Sequence, residues 1–308
     1  MYSDIPIRKP TKITKNPNRH SMRAFIVVMV LMLFFSVFYN LFHSRLHADR
    51  LPTPDEGQIF VHFIDIGQGD SILIQSMDHA VLIDGGEFSE RTRLLSHLRR
   101  AGVTRLDLVV ATHPHSDHIG GLVAVLNQLY VGHILMPNIV HTTETFENFL
   151  AAIENNNIPV TFSEAGHRIQ AGIIELNVLG PLHFYHSNLN NSSIVLRLVY
   201  ENTSFLFTGD MEEIAELELV NSGVNLRSNV LKVAHHGSNT STSDIFLSAV
   251  MPDIAVISAG RNNQFGHPHR DTISALEALE IPIFRTDLHG TIVLSTNGIQ
   301  IYLTYISY

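Results

Sequence analysis

Four side chains with an affinity for metal ions, His113, His115, Asp117 and His118, crowd into the stretch "ATHPHSDHIGGL" (residues 111–122). Two apart on an extended segment, His113 and His115 point the same way and can clasp one ion. Asp117 and His118 follow where the chain turns into a helix and are directed elsewhere, as a second ion would require. Gly120 and Gly121 let the helix start pack closely. The competing reading, a hydrogen-bonded loop in the core, leaves several imidazoles in need of buried partners. The chain has 19 histidines and no cysteine, so any metal must be held by imidazole and carboxylate, and a disulfide framework is ruled out.

The elements that must hold these groups read as short apolar runs alternating with helices. "RLDLVVATHPH" is a buried strand running out into the histidine loop. Before it, "GQIFVHFIDIGQGDSILIQS" and "HAVLIDGG" form a hairpin or meander, and "RTRLLSHLRRAG" an amphipathic helix ending at Gly102. After it come helix "GLVAVLNQLY", strand "VGHILMPN" and helix "TFENFLAAIENNNIP". A hairpin, "SIVLRLVYENTSFLFTGD", then has its second strand ending at Asp210. Helix "MEEIAELELVNSG", strand "SNVLKVAHHGS", a helix near "STSDIFLSAV", strand "PDIAVISAG", helix "RDTISALEALE" and the strands of "TIVLSTNGIQIYLTYIS" complete the chain. Two approximate halves of strands and helices predict an α/β fold, a four-layer αββα sandwich with two sheets face to face and helices outside. Every polar cluster falls at a predicted strand end, where a sheet can hold the backbone still while side chains converge.

The first fifty residues differ from the rest. Six basic residues in the tail 1–23 precede the apolar run "AFIVVMVLMLFFSVFYNLFH", residues 24–43. At about 1.5 Å of rise per residue this run reaches about 30 Å, the thickness of a bilayer core. The positive-inside bias places the tail in the cytoplasm, and everything beyond a linker at 44–56 outside the cell membrane. A cleaved signal peptide is the rival reading, although the flank "HSRLHADR" lacks a small-residue cleavage site. Without residues 1–50 the chain keeps 12 Lys/Arg against 27 Asp/Glu, a net charge of −15, and Lys232 is its sole lysine. Such a surface does not favour sequence-independent grip on long DNA, which needs many phosphate contacts. A local phosphate site is still allowed.

The pattern His113-x-His115-x-Asp117-His118 resembles the signature of the metallo-beta-lactamase superfamily of binuclear hydrolases. "FIDIGQGDSILI", "VLIDGG", "ATHPHSDHIGGL", "NNSSIVLRL", "FLFTGD", "LKVAHHGS", "NQFGHP" and "RTDLHGTI" stand in the order seen in the extracellular hydrolase domain of ComEC-type DNA-uptake proteins and their stand-alone relatives. The likeness runs from about Gly57 to the C-terminus, residues 57–308. Only one apolar segment occurs here, so transport is not implied.

The resemblance implies a role for each matching position. Asp84 would orient a ligand histidine; a turn aspartate before Gly-Gly is the plainer reading. Asp210 would bridge two divalent ions, zinc first, with manganese or magnesium as alternatives; it could also cap the helix that follows. Many superfamily members carry a further histidine where this chain has "NLNNSSIVL", so Asn190 and Ser193 are candidates to face the site, with His183 and His186 upstream as other replacements. Of His235 and His236, adjacent on a predicted strand and so facing opposite ways, one would coordinate, and strand position favours His235. His267 would bind substrate or donate a proton, unless it belongs to a plain surface turn, and Asp117 would orient the nucleophile. The "GQGD" turn with Asp70 reads as structural. Together these imply a hydrolase that activates water with two ions, acting on a phosphate-containing substrate such as nucleic acid, nucleotide or an envelope component, with no nucleotide cofactor. A hydrolase of an ester, thioester or lactone, and a non-enzymatic surface module with a degenerate site, are the alternatives.

Overall fold

The computed structural model describes residues 19–48 and 50–307. The chain divides into two units, Met1–Arg50 and Leu51–Tyr308. In the first, Arg19–Ala48 form one helix; most of the expected basic tail, residues 1–18, lies outside the described residues. From 27 to 39 its side chains are mostly apolar and all exposed. Among the described residues no helix is long and apolar enough to cross a membrane.

The second unit is built on two sheets. The eight-stranded sheet has the order Ile301–Ile306, Ile292–Thr296, Ile59–Phe63, Ile72–Gln75, Ala80–Ile83, Leu108–Val110, Ile134–Met136, Val160–Phe162. The seven-stranded sheet runs Ile283–Arg285, Ile254–Ile257, Val230–Lys232, Thr203–Phe207, Val195–Tyr200, Ile174–Gly180, Arg168–Ala171. Each is antiparallel in one half and parallel in the other. Ala80–Ile83 to Val160–Phe162 pair in parallel in the first sheet, as do Thr203–Phe207 to Ile283–Arg285 in the second.

Period-two alternation sorts the side chains into layers. Val81 and Ile83 meet Phe205 and Phe207 between the sheets, whereas Leu82 faces outward with Leu94, Leu122 and Phe149 of the helices Arg91–Arg100, Leu122–Gln128 and Glu144–Asn155. Leu206 and Leu231 likewise face the other helical layer, with Leu219, Phe246 and Leu276. This is the expected four-layer sandwich. Its local departures are small: the strand expected over "RLDLVV" breaks at Asp107 into two pieces, and the one expected over "SNVLKVAHH" stops at Lys232.

One outward position is polar. Val61 and Phe63 point between the sheets, but His62 points at helix Arg91–Arg100 and shares a 3.1 Å ring-to-ring hydrogen bond with His97. Burial, with Arg100 adding to it, pushes His97 down to about 4 from an ordinary 6.5. The unfolded chain therefore binds the extra proton between those values, and stability is lost as pH falls from 6.5 towards 4, by about 3 kcal/mol for this one group. We expect His97→Gln, melted in chelator, to lose less melting temperature than wild type over that range; parallel curves would show that the pair does not titrate there.

Candidate metal centre

All the candidate ligands leave the carboxyl ends of the parallel strands, where an open α/β sheet leaves room for a ligand. Asp84 follows Ala80–Ile83, the histidine loop follows Leu108–Val110, Asp210 follows Thr203–Phe207, and His235 and His236 follow Val230–Lys232. The sheets stack face to face, so these ends converge.

Asp210 is the meeting point. Its Oδ2 lies 3.1 Å from His118 Nε2, 3.4 Å from His236 Nε2, 3.8 Å from His113 Nε2 and 4.0 Å from His235 Nε2. Ligand atoms of Asp117, His118, Asp210 and His236 all fall within 4.8 Å of one another. His113, itself 3.8 Å from that carboxylate, has Nε2 3.0 Å from His115 Nδ1, so the His115 ring stands beside it.

The backs of the rings are fixed. Asp84 Oδ2 accepts from His118 Nδ1 at 2.8 Å and from Thr112 Oγ1 at 2.7 Å, while its Oδ1 accepts from the Thr112 N–H at 2.8 Å. Because the Thr112 hydroxyl is thus a donor, it accepts in turn from His113 Nδ1 at 3.2 Å. Asp84 therefore orients His118 directly and His113 through Thr112. It does this from a left-handed backbone (φ 58°), so it is also the turn residue that its sequence suggests. The Ser258 carbonyl accepts from His236 Nδ1 at 3.0 Å. With their Nδ1 atoms occupied as donors, His118 and His236 direct Nε2 to the centre, where a bound cation would take the place of a proton. Those two Nε2 atoms and Asp210 Oδ1 are buried without a hydrogen-bond partner. Buried polar atoms are seldom left this way. A divalent cation fits this donor set of imidazoles and carboxylates: Asp117, His118, Asp210 and His236 would hold one ion, and His113, His115 and Asp210 another.

The fields agree with this geometry. Burial, with His118 adding to it, holds His113 well below its ordinary value. Burial also opposes charge on His118 and His236, yet Asp210 with Asp84 raises the first well above its ordinary value, and Asp210 with Asp70 raises the second. These carboxylates draw positive charge to the two rings.

Three expectations change. His236, not His235, joins the four-residue group. The pair sits in a turn, Ala234–Gly237, with both residues left-handed (φ 48° and 54°), so strand alternation does not apply and both rings reach Asp210. His235 stands nearer the mouth, 3.2 Å from Thr240 Oγ1 and 3.4 Å from Asn190 Nδ2. Second, Asp210 does not cap the following helix: Glu213–Ser222 has Glu212 in that place. Third, Ser193 supports the site from behind, its hydroxyl accepting from the Asp210 N–H at 3.0 Å. Gly209 makes this approach feasible, since a Cβ there would stand 2.8 Å from the Ser193 Cβ.

Asn190 places its Nδ2 3.4 Å from His235 Nε2. It donates to Glu212 at 3.1 Å and leaves its buried Oδ1 without a hydrogen bond. His267 lies at the rim, its ring centroid 5.4 Å from His235 and 6.2 Å from His236, with Nδ1 unpartnered; burial, then His236 and His235, push it down to about 4. His183 and His186 are exposed. Of two buried residues given no chemical role in the sequence reading, Asp70 lies beside His236 and Lys232 pairs with Asp70. The signal for Lys232 was a lone lysine amid "VLKVA".

A helix–sheet–sheet–helix sandwich with this centre at its strand ends is the fold of metal-dependent hydrolases. The model of the metallo-beta-lactamase superfamily matches residues 64–261, and the chain belongs to that family. It is 33% identical over 250 residues to "ComE operon protein 3" of Bacillus subtilis, covering 75% of this chain and 32% of that protein. It is 34% identical over 243 residues to "Competence protein ComA" of Neisseria gonorrhoeae, covering 77% and 32%. The chain thus spans about a third of the length of these curated relatives. Among solved structures, the metallo-beta-lactamase fold protein YhfI of Bacillus subtilis aligns with TM-score 0.53 at 11% identity over 77% of this chain and 100% of that one. CmlA, a diiron beta-hydroxylase from Streptomyces venezuelae, aligns with TM-score 0.55 at 14% identity over 80% and 55%. At such identities both show the fold alone.

Asp84→Asn keeps a side chain that tolerates the left-handed backbone but removes the charge behind His118. We expect metal affinity to fall by about 10- to 100-fold with the fold intact. His115→Ala should lower the bound metal per chain without unfolding; unchanged metal content would remove the His113–His115 group from the centre.

Proposed function

We propose that this chain is a membrane-anchored, extracytoplasmic phosphodiesterase that works with two divalent ions, zinc first and manganese or magnesium as alternatives. The observation that carries the reading is Asp210, one carboxylate shared between two groups of imidazoles. Charge supports two ions over one. Asp70 is paired with Lys232, while Asp84, Asp117 and Asp210 have imidazoles beside them, three further carboxylates where a single dication would neutralise two. When bound, two such ions supply Lewis acidity and lower the pKa of a water for in-line attack on phosphorus.

The chain's own groups divide the remaining work. Asp117, within the ligand group and 23% exposed at its side chain, orients the attacking water. His267 at the rim, pushed down to about 4 and so neutral near pH 7, takes the phosphate by a hydrogen bond, and Asn190 stands beside His235 next to it. The absence of cysteine removes the thiolate ligand of many true beta-lactamases, and a bridging carboxylate suits phosphodiester chemistry, so penicillin cleavage is not proposed. Nucleic acid is the favoured substrate because relatives carry the names "Competence protein ComA" and "Recombination protein 2". With −15 net charge beyond residue 50, binding would use few phosphates, so cleavage of a short oligonucleotide should depend on salt with a log–log slope shallower than about −2. The anchor rests on the apolar run 24–43 after a basic tail.

Asp210→Asn tests the centre. An amide keeps the shape but cannot supply the charge between two dications, so bound metal should drop and hydrolysis of a chromogenic phosphodiester should fall about a thousandfold, with helix content unchanged. Wild-type turnover in this variant would defeat the bridge, and turnover of thioesters or lactones but of no phosphodiester would move the substrate to the other bond class. For the anchor, protease added to intact cells should release the large unit and spare the basic tail; a mature N-terminus near Asp49 would instead mean a cleaved leader.

A further inference from the structure

Lys232 occupies a strand position that belongs to the core between the sheets, level with Phe207 on one side and Val256 on the other. It is fully buried. Its Nζ lies 2.6 Å from Asp70 Oδ2 and donates to the Val233 carbonyl at 2.9 Å. Asp70, equally buried, turns its Oδ1 to within 3.4 Å of His236 Nδ1, and that oxygen has no hydrogen-bond partner.

The same turn reaches the other half of the centre through its backbone. The Asp70 N–H donates to the Asp117 carbonyl at 3.1 Å. Gly69 (φ 127°) is required there, because a Cβ would stand 2.2 Å from that carbonyl oxygen. Gln68 Oε1 accepts from the Gly260 N–H at 3.0 Å, past the end of Ile254–Ile257. The "GQGD" turn therefore touches both the loop that carries Asp117 and the strand ends around His236, which come from different sheets. Packing does not explain a charged pair here, since apolar side chains of like volume are often as stable or more so.

We propose that the Asp70–Lys232 pair is a positioning device for the metal centre. Asp70 stands behind His236 with its charge near the Nδ1 proton that the Ser258 carbonyl accepts, which makes Nε2 a stronger donor. Its backbone holds Asp117 in step, and Lys232 locks the carboxylate in place and compensates its charge. This rests on the reading of His236 as a ligand. Asp70 also comes within 4.8 Å of ligand atoms of Asp84 and His118, but its Oδ2 is paired with Lys232 and His118 Nδ1 with Asp84, so the pair acts through His236 and not as a ligand.

The test uses the full-length chain, with Zn²⁺ affinity measured by competition with a chromogenic chelator and metal-free melting recorded beside it. Asp70→Asn should weaken Zn²⁺ binding about tenfold or more, but less than about twofold when His236 is already replaced by Ala, because the effect runs through that ring. Equal losses in both backgrounds would reduce Asp70 to general electrostatics and overturn the proposal. Asp70→Leu/Lys232→Met leaves no buried charge unpaired and guards against a variant that fails to fold. It should melt within a few degrees of wild type when metal-free and still bind Zn²⁺ about tenfold more weakly. Wild-type affinity in that double variant would overturn the proposal. Unchanged affinity in His236→Ala alone would instead remove the ligand assignment beneath it.

Discussion

Negative charge gathered in a dry interior is the constraint on which this structure depends. Asp210 and Asp84 are buried at the meeting of the two sheets, with Asp70 beside them and Asp117 at the edge. An isolated carboxylate in such surroundings is too costly to persist, so each must have a cation or a set of donors. Asp84 has three donors, Asp70 has Lys232, and Asp210 has only imidazoles around it. The charge left over is what would draw divalent ions to the site.

Such a site demands fixed positions, and the sandwich supplies them. Ligands from one sheet and ligands from the other must meet within a few tenths of an ångström, which loops alone would not achieve. Parallel strand ends give the anchor points, and short turns in uncommon backbone conformations aim the side chains. Asp84, His235 and His236 are all left-handed, a local strain tolerated because the surrounding packing fixes it. Beneath them, Val81, Ile83, Phe205 and Phe207 close the space between the sheets and leave the turns little freedom.

The strongly acidic unit beyond residue 50 and its cation-seeking centre fit together as one electrostatic design. The surface disfavours long polyanions, and dications held at the centre would offset part of the negative charge gathered there.

Much of this was legible in the chain. The spacing of His113, His115, Asp117 and His118 pointed to metal, hydrophobic alternation gave the strands and their layers, and the order of the motifs gave the sandwich, because each of these depends on near neighbours and on periods of two or of 3.6. What needed long-range proximity was not legible. His236 rather than His235 enters the ligand group because two consecutive left-handed residues replace the strand on which alternation would have been counted. Asp210 stands clear of the helix start because the helix begins only at Glu213, with Glu212 at the N-cap position. Asp70 and Lys232, 2.6 Å apart in space and far apart along the chain, acquire a role only when the two sheets close upon each other. Local pattern determined the elements and the ligand types; only the packing of one sheet on the other decided which side chains share a charge.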